Sequence, residues 1–130
     1  MEAIGKLKSK TVLVVEDEAS VRELVGEVLQ RNGYEVLKAE NGRQAMQLAF
    51  DSDSIELVLT DLEMPDVTGV ELADRLQAYQ PRLKILLMSG YSHSLLSDRG
   101  VLKPGTALLE KPFNTSTLLQ KVNQLLFPQS

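Results

Sequence analysis

A chain of 130 residues with 43% hydrophobic and 25% charged residues has the composition of one globular domain, which excludes a disordered or fibrous protein. The net charge of -4 disfavours contact with a phosphate backbone, so no direct nucleic-acid partner is expected. Without cysteine the chain forms no disulfide or thiolate metal site, and without a signal-like or membrane-spanning segment we expect a soluble, cytoplasmic domain that makes no membrane contact.

The amino-terminal half alternates β-branched runs with amphipathic segments. Residues 1–10 are lysine-rich and lack periodicity, which indicates a flexible lead-in or linker before a domain over residues 11–127. Hydrophobic runs predict strands, and apolar residues at helical spacing predict helices. The resulting order is strand Thr11–Val15, helix Ala19–Arg31, strand Glu35–Ala39, helix Gly42–Phe50 and strand Ile55–Asp61.

The carboxyl-terminal half continues this alternation. Pro65 and Gly69 interrupt the chain after the third strand, so the strand cannot simply continue. The remaining predicted elements are helix Thr68–Tyr79, strand Leu83–Met88, a short helix His93–Arg99, strand Thr106–Glu110 and a last helix that Asn114 caps and Pro128 ends. Alternating apolar strands and helices predict an α/β fold with a single doubly wound, five-stranded parallel sheet.

Polar side chains stand where the predicted strands end. In a doubly wound sheet every strand points its carboxyl end to the same edge, and ligands bind there. We therefore expect one cleft to gather five residues that are far apart in sequence, namely Glu16, Asp17, Asp61, Ser89 and Lys111. Taken singly, each has a plainer interpretation as a strand terminator, a helix N-terminal acid, a turn cap or a surface lysine.

Several carboxylates in one small cleft require a cation, because they cannot all ionise cheaply otherwise. Hard oxygen ligands favour Mg²⁺, for which Mn²⁺ could substitute. The ammonium of Lys111 would neutralise the oxygens of a phosphoryl group, and the hydroxyl of Ser89 would donate a hydrogen bond to them. Asp61 is then the candidate nucleophile of a phosphoryl transfer, because a carboxylate can form a covalent acyl phosphate.

Four sequence blocks, in this order, resemble the receiver domain of two-component response regulators: Glu16–Glu18, Thr60–Gly69, Leu86–Tyr91 and Glu110–Phe113. The resemblance covers about Lys10 to Phe127 and implies a flavodoxin-like fold with strand order 2-1-3-4-5. It also implies phosphorylation of Asp61 by a histidine kinase or a histidine phosphotransfer protein in a phosphorelay. The implied Mg²⁺ ligands are Glu16, Asp17, Asp61 and the main-chain carbonyl of Glu63.

The resemblance further implies a switch in which the hydroxyl of Ser89 moves toward the phosphate. An aromatic residue often follows that movement in similar domains, but here Leu108 stands three positions before Lys111 and carries no hydroxyl. Glu63 and Tyr91 occupy positions that line the approach to the phosphate. We hypothesise that their bulk and charge set how fast water removes the phosphoryl group.

Other function classes remain open at this stage. A magnesium-dependent phosphatase of the haloacid-dehalogenase-like type also uses an aspartate nucleophile, although it should carry Asp-x-Asp near the first strand and a cap insertion. A flavodoxin-like nucleotide binder should have a glycine-rich loop where this chain has acids. A pseudo-receiver would bind partners without phosphorylation. The preferred interpretation is a phosphoacceptor rather than an enzyme, either free-standing or part of a hybrid sensor histidine kinase.

Overall fold

A computed structural model describes residues 10–128 and contains one five-stranded parallel sheet in the order β2-β1-β3-β4-β5. The strands are β1 Thr11–Val15, β2 Glu35–Ala39, β3 Ile55–Asp61, β4 Lys84–Ser89 and β5 Ala107–Glu110. The helices are α1 Ala19–Arg31, α2 Gly42–Asp51, α3 Gly69–Tyr79, α4 His93–Asp98 and α5 Thr115–Leu126. The predicted fold class and element order are confirmed, and the ends that were predicted differ by at most one residue. The predicted lead-in lies outside the described residues, apart from Lys10.

The sheet is covered on both faces, as its continuous apolar strands require. Because successive side chains of a strand point to opposite faces, Val12 and Val14 of β1 join one core cluster, which also holds residues of α1 and α5. Leu13 and Val15 join a second cluster with residues of α2 and α3. A third cluster lies beneath α4 and contains Leu62, Leu87, Leu96, Leu102 and Leu108.

Helix α1 buries a narrower stripe than its apolar residues would allow. Leu24 of α1, which lies at helical spacing with Val21, Val25 and Val28, remains 61% exposed. The buried residues of α1 are Val25, Gly26 and Leu29, and Leu24 lies about 100° from Val25 on the side away from Gly26, so it falls outside the buried stripe. Among the described residues, no helix combines the length and the apolar character needed to cross a bilayer.

The register of the strands brings the predicted site to one edge. Asp61, the last residue of β3, lies beside Met88 of β4, and Ser89, the last residue of β4, lies beside Glu110 of β5. The residue that follows each strand therefore emerges at nearly the same height. The sheet thus acts as a rigid frame that holds these side chains side by side.

Candidate metal and phosphoryl site

Main-chain hydrogen bonds continue past the strand ends and fix the site residues. The amide of Leu62, the residue after Asp61, donates to the carbonyl of Met88 at 2.8 Å. The amide of Lys111 donates to the carbonyl of Ser89 at 2.7 Å. The backbone of the site residues is consequently held by the sheet and not by the loops that follow, which suits groups that must keep a defined geometry.

Three carboxylates meet at this edge. One oxygen from each of Glu16, Asp17 and Asp61 lies within 4.8 Å of the others. The ammonium of Lys111 lies 3.1 Å from Oδ1 of Asp61 and 3.2 Å from Oε1 of Glu16. The other Glu16 oxygen accepts a hydrogen bond from the amide of Glu18 at 3.2 Å. A single lysine therefore bridges two of the three acids.

The charges in this cluster are only partly balanced. Burial raises the pKa of Glu16 and the pKa of Asp61, and in each case a neighbouring carboxylate adds to the rise while Lys111 opposes it. Burial lowers the pKa of Lys111, but hydrogen bonds and charge from Asp61 and Glu16 outweigh that effect, so its pKa is raised overall. A further cation beside the acids would relieve the remaining repulsion.

The donor set fits a small, hard divalent cation. Its converging oxygens come from carboxylates, and neither sulfur nor imidazole takes part in the cluster. Asp17 is exposed while Glu16 is 1% exposed, so a cation could bind from the solvent side and still contact the buried end of the cluster. The residues present therefore fit Mg²⁺, the ion expected from the sequence.

A small pocket of about 250 Å³ opens beside the acids. The residues that line it include Asp61, Ser89 and Lys111, and also Glu63 and Tyr91 from the two loops at its mouth. Ser89 is 3% exposed, and its hydroxyl oxygen accepts a hydrogen bond from the amide of Tyr91 at 2.9 Å. The pocket thus presents a carboxylate, an ammonium and a hydroxyl to one small volume.

Leu108 belongs to the third core cluster and does not line this pocket. It is 5% exposed and packs there with Leu96 of α4 and Leu87 of β4. A leucine in this position fills space beneath α4 but offers no polar group. The structure therefore places no aromatic hydroxyl at this end of β5.

Two residues that the sequence did not single out hold segments next to the acidic cluster. Nη1 of Arg22 donates to the main-chain carbonyl of Glu16 at 2.8 Å and so ties α1 to the acidic turn. Asp66, which lies within the block Thr60–Gly69, accepts hydrogen bonds from the amides of Gly42 and Arg43. A usable signal existed for Arg22, because a cation in the first turn of a helix opposes the helix dipole and requires a reason.

Comparison with known proteins gives matches over most of the chain. The response regulator receiver domain family matches residues 12–123. YrkP of Bacillus subtilis, an uncharacterized transcriptional regulatory protein, is 36% identical over 85% of this chain and 47% of YrkP. The response regulator receiver protein CpdR of Brucella abortus is 30% identical over 90% of this chain and 97% of CpdR. The chain therefore spans about half of YrkP and nearly all of CpdR.

Solved structures give the same result. The response regulator TrrA from Thermotoga maritima, solved in complex with Mg(2+)-BeF, superposes with a TM-score of 0.75 and 39% identity, over 89% of this chain and 98% of TrrA. The family match, the strand order and the acidic cluster at the carboxyl edge agree with one another. The chain belongs to the response regulator receiver domain family and is a phosphoacceptor signalling domain of two-component systems.

Proposed function

We propose that Asp61 accepts a phosphoryl group from the phosphohistidine of a histidine kinase or a histidine phosphotransfer protein. The observation that carries the proposal is the ammonium of Lys111 at 3.1 Å from Oδ1 of Asp61, beside three carboxylate oxygens that lie within 4.8 Å of one another. No other group of three or more acidic or histidine side chains at metal-binding spacing occurs in residues 10–128.

The reaction is an in-line displacement at phosphorus. A carboxylate oxygen of Asp61 forms the new P–O bond while the P–N bond to the donor histidine breaks, and the imidazole nitrogen retains the electron pair. Lys111 holds Asp61 and would contact the transferring oxygens from the same side. The domain catalyses only its own phosphorylation and, with water as the attacking group, its own dephosphorylation.

Glu16, Asp17, Asp61 and the main-chain carbonyl of Glu63 would hold the metal ion. Mg²⁺, or Mn²⁺ in its place, would supply positive charge that neutralises the acids and the phosphoryl oxygens. The carboxylate spacing supports this assignment, as does TrrA, a 39% identical protein solved with Mg(2+)-BeF. Lys111 then completes the positive side of the pocket.

Ser89 would report the arrival of the phosphoryl group. Its hydroxyl oxygen accepts the amide of Tyr91, and its proton can be donated to a phosphoryl oxygen in the pocket. Movement of the hydroxyl would strain or break the bond to Tyr91 and so disturb the start of α4. Because Leu108 has no hydroxyl to follow Ser89, this main-chain contact offers a polar route from the pocket to α4.

We place the receiver domain at residues 11–127, slightly beyond the family match, because α5 continues to Leu126. A cytoplasmic setting without direct nucleic-acid or membrane contact is supported by the acidic charge and the lack of cysteine. Membership of the receiver family supports a kinase or phosphotransfer protein as the partner. Which kinase or phosphotransfer protein it is depends on the whole protein.

The test is phosphorylation by a small donor. The protein is incubated with Mg²⁺ and acetyl phosphate, and intact-mass spectrometry measures the gain of one phosphoryl group. The unmutated chain should gain one group, and Asp61→Asn should gain none. Asp53→Asn is the matched control, because it makes the same chemical change at an exposed aspartate just before β3, outside the pocket.

A second reaction with a chelator in place of Mg²⁺ should slow labelling strongly, because the carboxylates then repel the incoming phosphoryl group. Equal labelling of Asp61→Asn and the unmutated chain would contradict the assignment of Asp61. Absence of labelling in the unmutated chain would favour a pseudo-receiver that works without phosphorylation.

A further inference from the structure

The segment between β3 and α3, residues 62–68, is here called the acceptor loop because it follows Asp61 directly. Its two ends are joined by a hydrogen bond from the amide of Gly69 to the carbonyl of Leu62 at 2.6 Å. A β-carbon at Gly69 would lie 2.5 Å from the carbonyl oxygen of Asp61, so only glycine permits this closure without a shift of the backbone. The base of the loop is thus tightly closed.

The middle of the acceptor loop is held by a different element, the amino terminus of α2. The first four amides of a helix lack partners within the helix. In α2 the side chain of Asn41 satisfies one of them, since it accepts from the amide of Gln44 at 2.8 Å, and the amide of Ala45 makes the first regular bond of the helix, to the carbonyl of Asn41 at 3.1 Å. The amides of Gly42 and Arg43 remain for a partner outside the helix.

Asp66 of the acceptor loop is that partner. Its Oδ1 accepts from the amide of Gly42 at 3.1 Å, and its Oδ2 accepts from the amide of Arg43 at 3.0 Å. The first turn of α2 contains no acidic residue, so Asp66 supplies the negative charge that a helix amino terminus favours. A cap of this kind usually comes from the adjoining residue, whereas here it comes from another loop.

Packing strengthens the contact. The side chain of Val67, the next residue of the loop, occupies the space that a β-carbon on Gly42 would need. The amide of Val67 also donates to Oδ1 of Asp66 at 2.9 Å, so three amides hold one carboxylate in place. The acceptor loop therefore has a fixed position on α2 as well as a closed base.

We propose that Asp66 is a positioning residue for the phosphoacceptor site. By holding the acceptor loop on α2, it fixes the main-chain carbonyl of Glu63 with respect to Asp61 and Asp17. Metal ligands must be held within a fraction of an ångström, and groups that orient them affect affinity although they do not touch the ion. This inference rests on the proposed function, because it assumes that Glu63 contributes a ligand.

The experiment separates loop positioning from helix capping. Asp66→Ala removes both hydrogen bonds from the loop to α2. Asn41→Ala is the matched control, because it removes a cap from the same helix terminus without touching the loop. Titration calorimetry measures Mg²⁺ affinity, and urea unfolding measures stability. Both variants should unfold at lower urea concentration, but only Asp66→Ala should bind Mg²⁺ about tenfold more weakly.

A conservative variant completes the test. Asp66→Asn keeps one acceptor oxygen, so its Mg²⁺ affinity should lie between those of Asp66→Ala and the unmutated chain. If Asp66→Ala does not fold, Asp66→Asn takes its place in the test. Unchanged affinity in the Asp66 variants, or an equal loss in Asn41→Ala, would overturn the inference alone. Failure of the unmutated chain to bind Mg²⁺ would overturn the proposed function together with the inference.

Discussion

The two loops that border the pocket are built very differently. The acceptor loop leads into α3, which has 11 residues, four of them buried, and a capping box in which Thr68 and Glu71 satisfy each other's amides. The loop after β4 leads into α4, which has six residues and buries only Leu96. A β-carbon on Gly69 would meet backbone atoms, whereas one on Gly90 would meet nothing within 4 Å.

The two sides of the pocket are therefore suited to different roles. The α3 side is closely packed and hydrogen-bonded, so it can hold the acceptor and the metal ligands in fixed positions. The α4 side begins just after Ser89, the last residue of β4, and carries Tyr91 on a segment with few buried groups; such segments open at low free-energy cost. We infer that the first side holds the phosphoryl group and that the second side responds to it.

The largest expected effect on stability comes from comparing a glycine-to-alanine substitution on each side of the pocket. Gly69→Ala should lower the free energy of unfolding by about 3 kcal/mol, because its β-carbon has to displace the backbone of Asp61. Gly90→Ala should change it by less than about 0.5 kcal/mol. Urea unfolding measures both variants. Equal losses would show that the two sides are packed alike and would remove the comparison.

A somewhat smaller effect is expected from Leu96→Ala, which should cost about 2 kcal/mol because it deletes the only buried residue of α4. Amide hydrogen exchange should rise mainly over residues 92–106 and stay unchanged in the acceptor loop. Leu72→Ala, on the buried face of α3, is the matched variant and should raise exchange in the acceptor loop as well. Exchange that rises equally everywhere in both variants would contradict the separation.

Two aspartates of the α3 side should make opposite contributions to the pH dependence of stability. These contributions should be smaller than the losses of stability above, because each comes from a single, partly hydrated group. The pKa of Asp61 is raised above 3.8 by burial, so between 3.8 and its folded pKa the folded chain binds more protons than the unfolded chain. In that window stability falls as pH rises. Asp61→Asn should remove this fall when Mg²⁺ is absent.

Asp66 should behave in the opposite way. Burial tends to raise its pKa, but the amides of Gly42, Arg43 and Val67 outweigh burial and lower the pKa below 3.8. Its contribution is present above 3.8 and is lost as pH falls through the folded pKa. Asp66→Asn should therefore flatten the acid limb of the stability curve. Urea unfolding with a chelator, at a series of pH values, checks both signs, and a common sign would refute the assignment.

The smallest expected effect concerns the lifetime of the phosphoryl group. Glu63 stands at the mouth of the pocket on the α3 side and Tyr91 on the α4 side, where 51% of its surface is exposed. Glu63→Asn should shorten the lifetime on the order of threefold, about 0.7 kcal/mol in the barrier, because water gains access to the phosphorus. Timed mass spectrometry after donor removal measures it.

Tyr91→Ala is the companion variant for the α4 side of the pocket. If the mobile side admits the attacking water, this change should shorten the lifetime at least as much as Glu63→Asn. A lifetime that neither substitution alters would disprove the hypothesis that these two side chains control hydrolysis.

The local sequence pattern was sufficient to predict the helices and strands and the edge of the sheet at which the polar residues gather. The runs Val12–Val15 and Leu57–Leu59 are apolar because both faces of a parallel strand are covered, and that property is visible in the sequence. Asn114 was predicted as a cap, and its side chain accepts from Thr117 at 2.8 Å. Such features depend on neighbours within a few residues, so one chain carries enough information to predict them.

Long-range contacts were decided only by the tertiary structure. The exposure of Leu24, the contact of Arg22 with Glu16 and the cap that Asp66 provides to α2 all depend on how separate elements meet. The sequence by itself determined which residues stand at the strand ends and hence the chemistry of the cleft. The tertiary structure decided that the acceptor loop is tightly held and that the loop after β4 is not. Sequence spacing does not reveal which distant residues pack together or which of them pair with the free amides of a helix.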